Sequence, residues 1–209
     1  MSRYSPHNCY SHLMLQRADD SYGGLRWGHD LPAELAPLAF KLRALTVPLR
    51  NLGGCLSPDN AWMVVQGIET LSIRMERHCE NSLAVAKYLS DHPKVKWVRY
   101  PGLETDPMYE LNHKYLHGKG GGVVVFGIKG KDGRKAGQEF IDNLKLFSHV
   151  ANVGDCRSLA IHPASTTHSQ LSEEQQVAAG ARPELIRLSI GIEDIKDIIH
   201  DLDVTLKKV

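Results

Sequence analysis

A single arginine, Arg187, interrupts an apolar run near the end of the chain. Leu185, Ile186, Leu188 and Ile190 surround it, and the run predicts a strand whose alternation would hold a permanent cation in a defined direction. The planar guanidinium can pair with both oxygens of a carboxylate or phosphate, which suits it to gripping the α-carboxylate of an amino acid. A structural ion pair at a sheet edge is the alternative interpretation.

Three long segments carry a family resemblance. They read SLAIHPASTTHSQLS at 158–172, RPELIRLSIGIED at 182–194 and QGIETLSIRMERHCENSLAVAKYL at 66–89. In order and spacing they resemble the PLP-dependent enzymes of cysteine and methionine metabolism, in particular the O-acetylhomoserine sulfhydrylase branch of that family. The resemblance joins the chain near DDSYGGLRW, at 19–27, and continues to the C-terminus.

Helical patterns dominate the first half of the chain. Apolar residues recur at helical spacing from Leu31 to Leu52, where Pro48 predicts a kink and the following glycine pair predicts the end. Ser57 and Pro58 form a start signal for a second helix. Its periodicity predicts one continuous helix, more than about 30 residues long, that ends near residue 90.

The second half of the chain alternates between strand-like and helix-like segments. We expect strands at VKWVRYPG, VVVFGIKG, HVANVG, SLAIHP and LIRLSIG, and helices near 108–115, 133–147 and 195–206. This order predicts an α+β fold with an antiparallel or mixed sheet and helices on one face. The resemblance implies the small C-terminal domain of fold-type I PLP enzymes, giving an irregular segment at 1–30, connecting helices at 31–91 and the substrate-side domain at 92–209.

The overall composition excludes several classes of protein. The formal charge is only +1, so no field is available to hold a nucleic acid. No apolar stretch is long enough to cross a membrane and no secretory signal is visible, which predicts a cytoplasmic protein. The cysteines show no pairing or zinc-ligand spacing, so we expect free thiols and no metal site, with Cys156 partly buried.

The resemblance assigns residues to a substrate site. Arg187 matches the arginine that binds the substrate α-carboxylate, and Asn152 lies where relatives place a small polar residue that contacts the same group. Ser158 and Thr167 are candidates for the lining of the active site. HPASTTH, at 162–168, is interpreted as a rigid turn whose histidines make structural hydrogen bonds, because five residues on a loop is not a recognised metal-ligand spacing.

The resemblance also implies pyridoxal phosphate, held by a lysine in the first half of a complete enzyme. None of the lysines in this chain lies in such a motif, so we expect no covalent cofactor and no activity from the chain alone. One interpretation is the C-terminal portion of a sulfhydrylase that acts on an O-acylhomoserine and needs a partner chain or homo-oligomer. The alternative is a noncatalytic association domain, a relic of such an enzyme.

Overall fold

A four-stranded antiparallel sheet organises the second half of the described chain. The computed structural model describes residues 13–209 and divides into two compact units, one up to Val64 and one from Val65 to Val209. The strands of the second unit follow the spatial order β1-β2-β4-β3. They are β1 (Val95–Arg99), β2 (Val123–Ile128), β3 (Leu159–Ile161) and β4 (Leu185–Ser189).

One face of this sheet forms the hydrophobic core. Strand alternation places Val124, Phe126, Ile186 and Leu188 on that face, all with no measurable exposure. Helices α5 (Leu71–Asp91), α7 (Gly133–Asn143) and α9 (Ile195–Leu206) pack into the same core. The predicted α+β class and antiparallel sheet are confirmed, and α9 has the bounds that the sequence predicts.

The predicted long helix is in fact two helices. Helix α4 (Pro58–Glu69) ends at Thr70, whose backbone leaves the helical region with φ of −101° and ψ of 2°, and α5 begins immediately after it. Thr70 is β-branched and offers a hydroxyl, which accepts a hydrogen bond from Nε of Arg74 at 3.3 Å. Such residues favour helix ends over helix interiors. The predicted cap at Ser57 is confirmed, since its Oγ accepts from the Asn60 N–H at 3.2 Å.

The helical segment of the first unit changes from α-helix to a π turn at its proline. A 3-10 turn (Ala36–Leu38), α2 (Ala39–Ala44), a π turn (Leu45–Leu49) and α3 (Arg50–Leu52) follow one another directly. Pro48 lies inside the π turn, and its missing N–H and its crowding of the preceding turn disrupt the regular α-helical hydrogen bonds there. The segment ends at Gly53, whose φ of 65° is the expected left-handed cap.

Within 1–30, residues 1–12 and hence Cys9 lie outside the described residues. The described part of that segment contains α1 (Leu13–Gln16) and a 3-10 turn (Asp20–Tyr22). Trp27 is buried there and donates from Nε1 to Asp19 at 3.0 Å.

The interpretation of HVANVG as a strand was wrong. Residues 149–154 form no strand, and the chain beside them makes only an isolated bridge between Ser148 and Leu159. Val150 and Val153 are exposed, so the segment has no buried apolar face that would stabilise a strand. The segment is part of a loop, as the positive φ of Gly154 also shows.

The remaining helices connect the strands. Helix α6 (Tyr109–Leu116) lies between β1 and β2, and a 3-10 turn (Pro163–Ser165) and α8 (Glu173–Ala178) lie between β3 and β4. Across residues 13–209, the structure contains no helix with the length and apolarity needed to span a membrane.

The core makes a quantitative prediction. Leu188→Ala removes a fully buried side chain from the centre of the sheet, so we expect the free energy of unfolding to fall by about 2–5 kcal/mol. Leu111→Ala, at a half-exposed position in the same unit, is the matched control and should change it by less than about 0.5 kcal/mol. Urea denaturation followed by circular dichroism measures both. Equal losses for the two variants would contradict the assignment of the core.

Candidate substrate site

Arg187 lies in the interior of the sheet and not at its edge. Strand β4 runs between β2 and β3, and Arg187 is directly opposite Val125 on one side and Ile161 on the other. Its neighbours Ile186 and Leu188 face the helical core, so Arg187 belongs to the opposite face. A cation therefore stands between two aliphatic side chains on the face away from the helices.

A second arginine on the same row provides a contrast. Arg99 of β1 is also opposite Val125, but its Nε donates to the carboxylate of Asp106 at 2.9 Å. Burial raises the pKa of Asp106, yet the bonds from Arg99 and from the backbone of Met108 and Tyr100 lower it by more, so the net pKa is below the usual value. Arg99 is thus neutralised by the fold. Arg187 has no carboxylate partner among the described residues, and the ion-pair alternative finds no support there.

Asn152 and Arg187 are brought together through the backbone of Asn152. Nη2 of Arg187 donates to the backbone carbonyl of Asn152 at 3.3 Å. The side-chain Oδ1 of Asn152 accepts from the N–H of Val153 at 2.8 Å. This leaves the Nδ2 donor of Asn152 without an acceptor within residues 13–209, on an exposed loop beside the guanidinium.

Ser158 is placed inside the fold. It is fully buried, and its Oγ donates to Oε2 of Glu193 at 2.9 Å while accepting from the N–H of Gly191 at 2.9 Å. Its own N–H donates to Oε1 of Glu193 at 2.6 Å. The hydroxyl therefore connects the end of the Asn152 loop to the segment after β4. Sequence reasoning missed Glu193, for which the only signal was its place in the LSIGIED stretch.

The HPASTTH turn is held by structural hydrogen bonds. His162 is buried, and its Nε2 donates to the carbonyl of Pro183 at 2.7 Å, since a carbonyl can only accept. Its Nδ1 therefore accepts from the hydroxyl of Ser165 at 2.8 Å. Thr167 is exposed, and its Oγ1 bonds to Nδ1 of His168 at 2.9 Å. The structural role expected for His162 is confirmed, whereas the ring of His168 hydrogen-bonds, within the described residues, only to the adjacent Thr167. Thr167 remains accessible to a ligand.

The cysteines within the described range are free. Cys55 and Cys156 are exposed and Cys79 is half-buried. The expected partial burial of Cys156 was wrong, because residues 151–157 of the loop that carries it are all exposed.

Comparison with known proteins identifies the family of this chain. The family model for the Cys/Met metabolism PLP-dependent enzymes matches residues 25–207, and the chain belongs to that family. An O-acetylhomoserine (thiol)-lyase of Campylobacter jejuni, whose crystal structure contains N'-pyridoxyl-lysine-5'-monophosphate, superposes with a TM-score of 0.76 at 39% identity. That alignment covers 99% of this chain and 48% of the other.

Curated relatives of this chain include sulfhydrylases and a homocysteine synthase. An O-acetyl-L-homoserine sulfhydrylase of Leptospira meyeri is 50% identical over 91% of this chain and 44% of its own length. O-acetyl-L-homoserine sulfhydrylase 1 of Thermus thermophilus is 49% identical over 92% of this chain and 44% of its own length. The homocysteine synthase of Schizosaccharomyces pombe is 48% identical over 81% and 39%. The chain therefore spans less than half the length of the relatives it matches.

The buried histidine predicts a dependence of stability on pH. Burial lowers the pKa of His162 from its ordinary value of 6.5. As the pH falls through about 6.5, the unfolded chain binds a proton that the folded chain rejects, so the free energy of unfolding must fall. His162→Gln keeps an amide N–H for Pro183 and removes the titration, so its stability should fall less between pH 7 and pH 5.5.

His200→Gln, at an exposed position, is the control and should keep the wild-type slope. His92 also has a pKa lowered by burial, so part of the slope remains in His162→Gln. Urea denaturation at several pH values measures the slopes, and NMR titration of the His162 ring measures its pKa. A His162 pKa at or above 6.5 would contradict this assignment.

Proposed function

We propose that this chain is the substrate-carboxylate-binding portion of an O-acetylhomoserine sulfhydrylase. Such an enzyme transfers the aminocarboxypropyl group of O-acetylhomoserine to sulfide, releases acetate and yields homocysteine. The observation that carries the proposal is the unneutralised guanidinium of Arg187 on the face of the sheet away from the helices, in a chain that is 50% identical to a sulfhydrylase over 91% of its length.

The surroundings of Arg187 suit the α-carboxylate of an amino acid. A guanidinium presents two parallel donors to a carboxylate, and the aliphatic side chains of Val125 and Ile161 beside it reduce competition from water. The Asn152 carbonyl already orients one end of the fork. The unused Nδ2 of Asn152 supplies a further donor next to it. This chain would therefore bind and orient the substrate.

Pyridoxal phosphate, when bound in an enzyme of this family, acts as an electron sink for carbanions formed on the substrate. The groups assembled around Arg187 are a guanidinium, an amide and aliphatic side chains. None of these can form an imine with the cofactor. We therefore assign the covalent attachment of the cofactor to a lysine in the other portion of the enzyme, which corresponds to the part of the relatives that lies outside the match.

The carboxylate assignment gives a first test. Purified chain should bind O-acetyl-L-homoserine with millimolar affinity and bind its methyl ester more weakly, as NMR titration would show. Arg187→Ala removes the charge-assisted pair and should weaken binding of the acid at least about tenfold. Arg182→Ala removes an exposed cation three residues before β4 begins and is the matched control. Equal binding of acid and ester would exclude the carboxylate as the recognised group.

An exposed apolar surface supports docking of the remaining portion of the enzyme. Val65, Ile68, Leu71 and Ile73 are all exposed, with Ile73 at 69%. Four large apolar residues are therefore exposed within nine positions of the chain, and extensive exposed apolar surface is typical of interaction sites. The relatives carry more than half of their length outside the matched part. We propose that this additional portion, with its cofactor lysine, covers the surface.

Co-expression with the unmatched portion of the Leptospira meyeri relative tests this docking. The two chains should co-purify and bind pyridoxal phosphate, and borohydride reduction should fix the pyridoxyl group on a lysine of the added portion. Ile68→Glu should abolish co-purification because it places a charge in a desolvated contact. Leu116→Glu, at another exposed apolar position, should have no effect. A stoichiometric label on a lysine of the 209-residue chain would contradict the assignment of the cofactor lysine.

A further inference from the structure

We propose that Glu193 is a positioning residue, which fixes the loop that carries Asn152 against the guanidinium of Arg187. The purpose of this positioning rests on the proposed function, because it matters only if Arg187 and Asn152 receive a substrate carboxylate. The hydrogen bonds that produce it are features of the chain itself and can be tested without a ligand.

The Asn152 loop has a narrow base and an exposed body. The N–H of Ser148 donates to the carbonyl of Ser158 at 3.0 Å, and the N–H of Ala160 donates to the carbonyl of Ser148 at 3.0 Å. Between these anchors, residues 149–157 are exposed. A loop without buried side chains has little packing energy to select one conformation, so its geometry depends on the hydrogen bonds at its base.

Glu193 supplies the anchor on the side of β4. Its two carboxylate oxygens accept separately from the N–H and the Oγ–H of Ser158, at 2.6 Å and 2.9 Å. The N–H of Ile192 adds a bond to the carbonyl of Cys156 at 2.9 Å. A Cβ at Gly191 would overlap both that carbonyl oxygen and Oε2 of Glu193, so the contact requires glycine. The loop therefore lies directly against the segment that follows Arg187.

Glu193 is in turn held by helix α5. Nδ2 of the buried Asn81 donates to the carbonyls of Gly191 and Glu193, both at 3.0 Å. The carboxylate thus extends from a backbone that is fixed to the helical layer. The Asn152 carbonyl lies 3.3 Å from Nη2 of Arg187. The loop that carries it is therefore connected to the helical core through Ser158 and Glu193.

The chemistry at this anchor requires a carboxylate. Ser158 presents two donors, its N–H and its Oγ–H, and one of the two Oγ lone pairs already accepts from the N–H of Gly191. An ionised carboxylate accepts both donors, whereas a glutamine side chain turns an NH₂ group towards one of them. Glu193→Gln therefore changes one acceptor and almost no volume, so it perturbs the anchor and spares the core.

The test uses the purified chain labelled with ¹⁵N. In Glu193→Gln we expect the Nε–H resonance of Arg187 to shift and the backbone amides of 149–157 to gain nanosecond mobility, while core amides keep their shifts. Affinity for O-acetyl-L-homoserine should fall about fivefold, the cost of ordering the loop on binding. Ser158→Ala should cause the same changes, and the double variant should be no worse than either single one. Glu174→Gln, an exposed glutamate on α8, is the control.

The outcomes separate this inference from the proposed function. If Arg187 and the 149–157 amides respond to Glu193→Gln or Ser158→Ala, Glu193 positions the loop even where no O-acetyl-L-homoserine binding is found, and only the proposed function fails. If the acid binds to wild-type chain but neither variant moves these resonances, the inference is wrong and the proposed function stands. Should Glu193→Gln lose its fold, the Ser158→Ala spectra decide between these results.

Discussion

Hydrogen bonds from buried side chains of α5 to the backbone after β4 hold the site in place. Nδ1 of His78 donates to the carbonyl of Ile190 at 2.6 Å, and Asn81 donates to the carbonyls of Gly191 and Glu193. Here the chain has left the ladder of the sheet and its carbonyls would otherwise be unpaired. A buried carbonyl without a donor costs a substantial part of the stability of a small protein. The helix therefore fixes the chain where the sheet stops doing so.

The two faces of the sheet have different physical roles. The helical face is closed by aliphatic and aromatic packing, including the edge-to-face pair of Phe126 and Phe140 at 5.5 Å. On the opposite face, Trp97 lies over Gly127, where a Cβ would overlap its indole. The next row carries Arg99, which is neutralised, and Arg187, which is not. A charge left without a counter-ion within the described chain is a feature that a ligand can use.

Much of the layered core could be predicted because local patterns and tertiary packing agree there. The run around Phe126 and the final helix from Ile195 are amphipathic or fully apolar over their whole length, and both occur where predicted. The failures came where the pattern was too weak to determine the structure. A helix ends at Thr70 although the apolar periodicity of the sequence continues past it. Val150 and Val153 gave the sequence of residues 149–154 a strand-like pattern, but both are exposed and the segment forms no strand.

The sequence by itself determined the α+β class and the family, and it singled out Arg187 as the candidate for binding the substrate carboxylate, because long motifs and the strand alternation around Arg187 need no knowledge of neighbours. Only the tertiary structure decided that Arg99 is neutralised while Arg187 is not, since Asp106 and Arg99 meet through a turn. It also decided that Asn152 faces Arg187 with its carbonyl, and that Ser158 bonds to Glu193. These contacts join residues 35 positions apart in the chain, and no local pattern encodes such a distance.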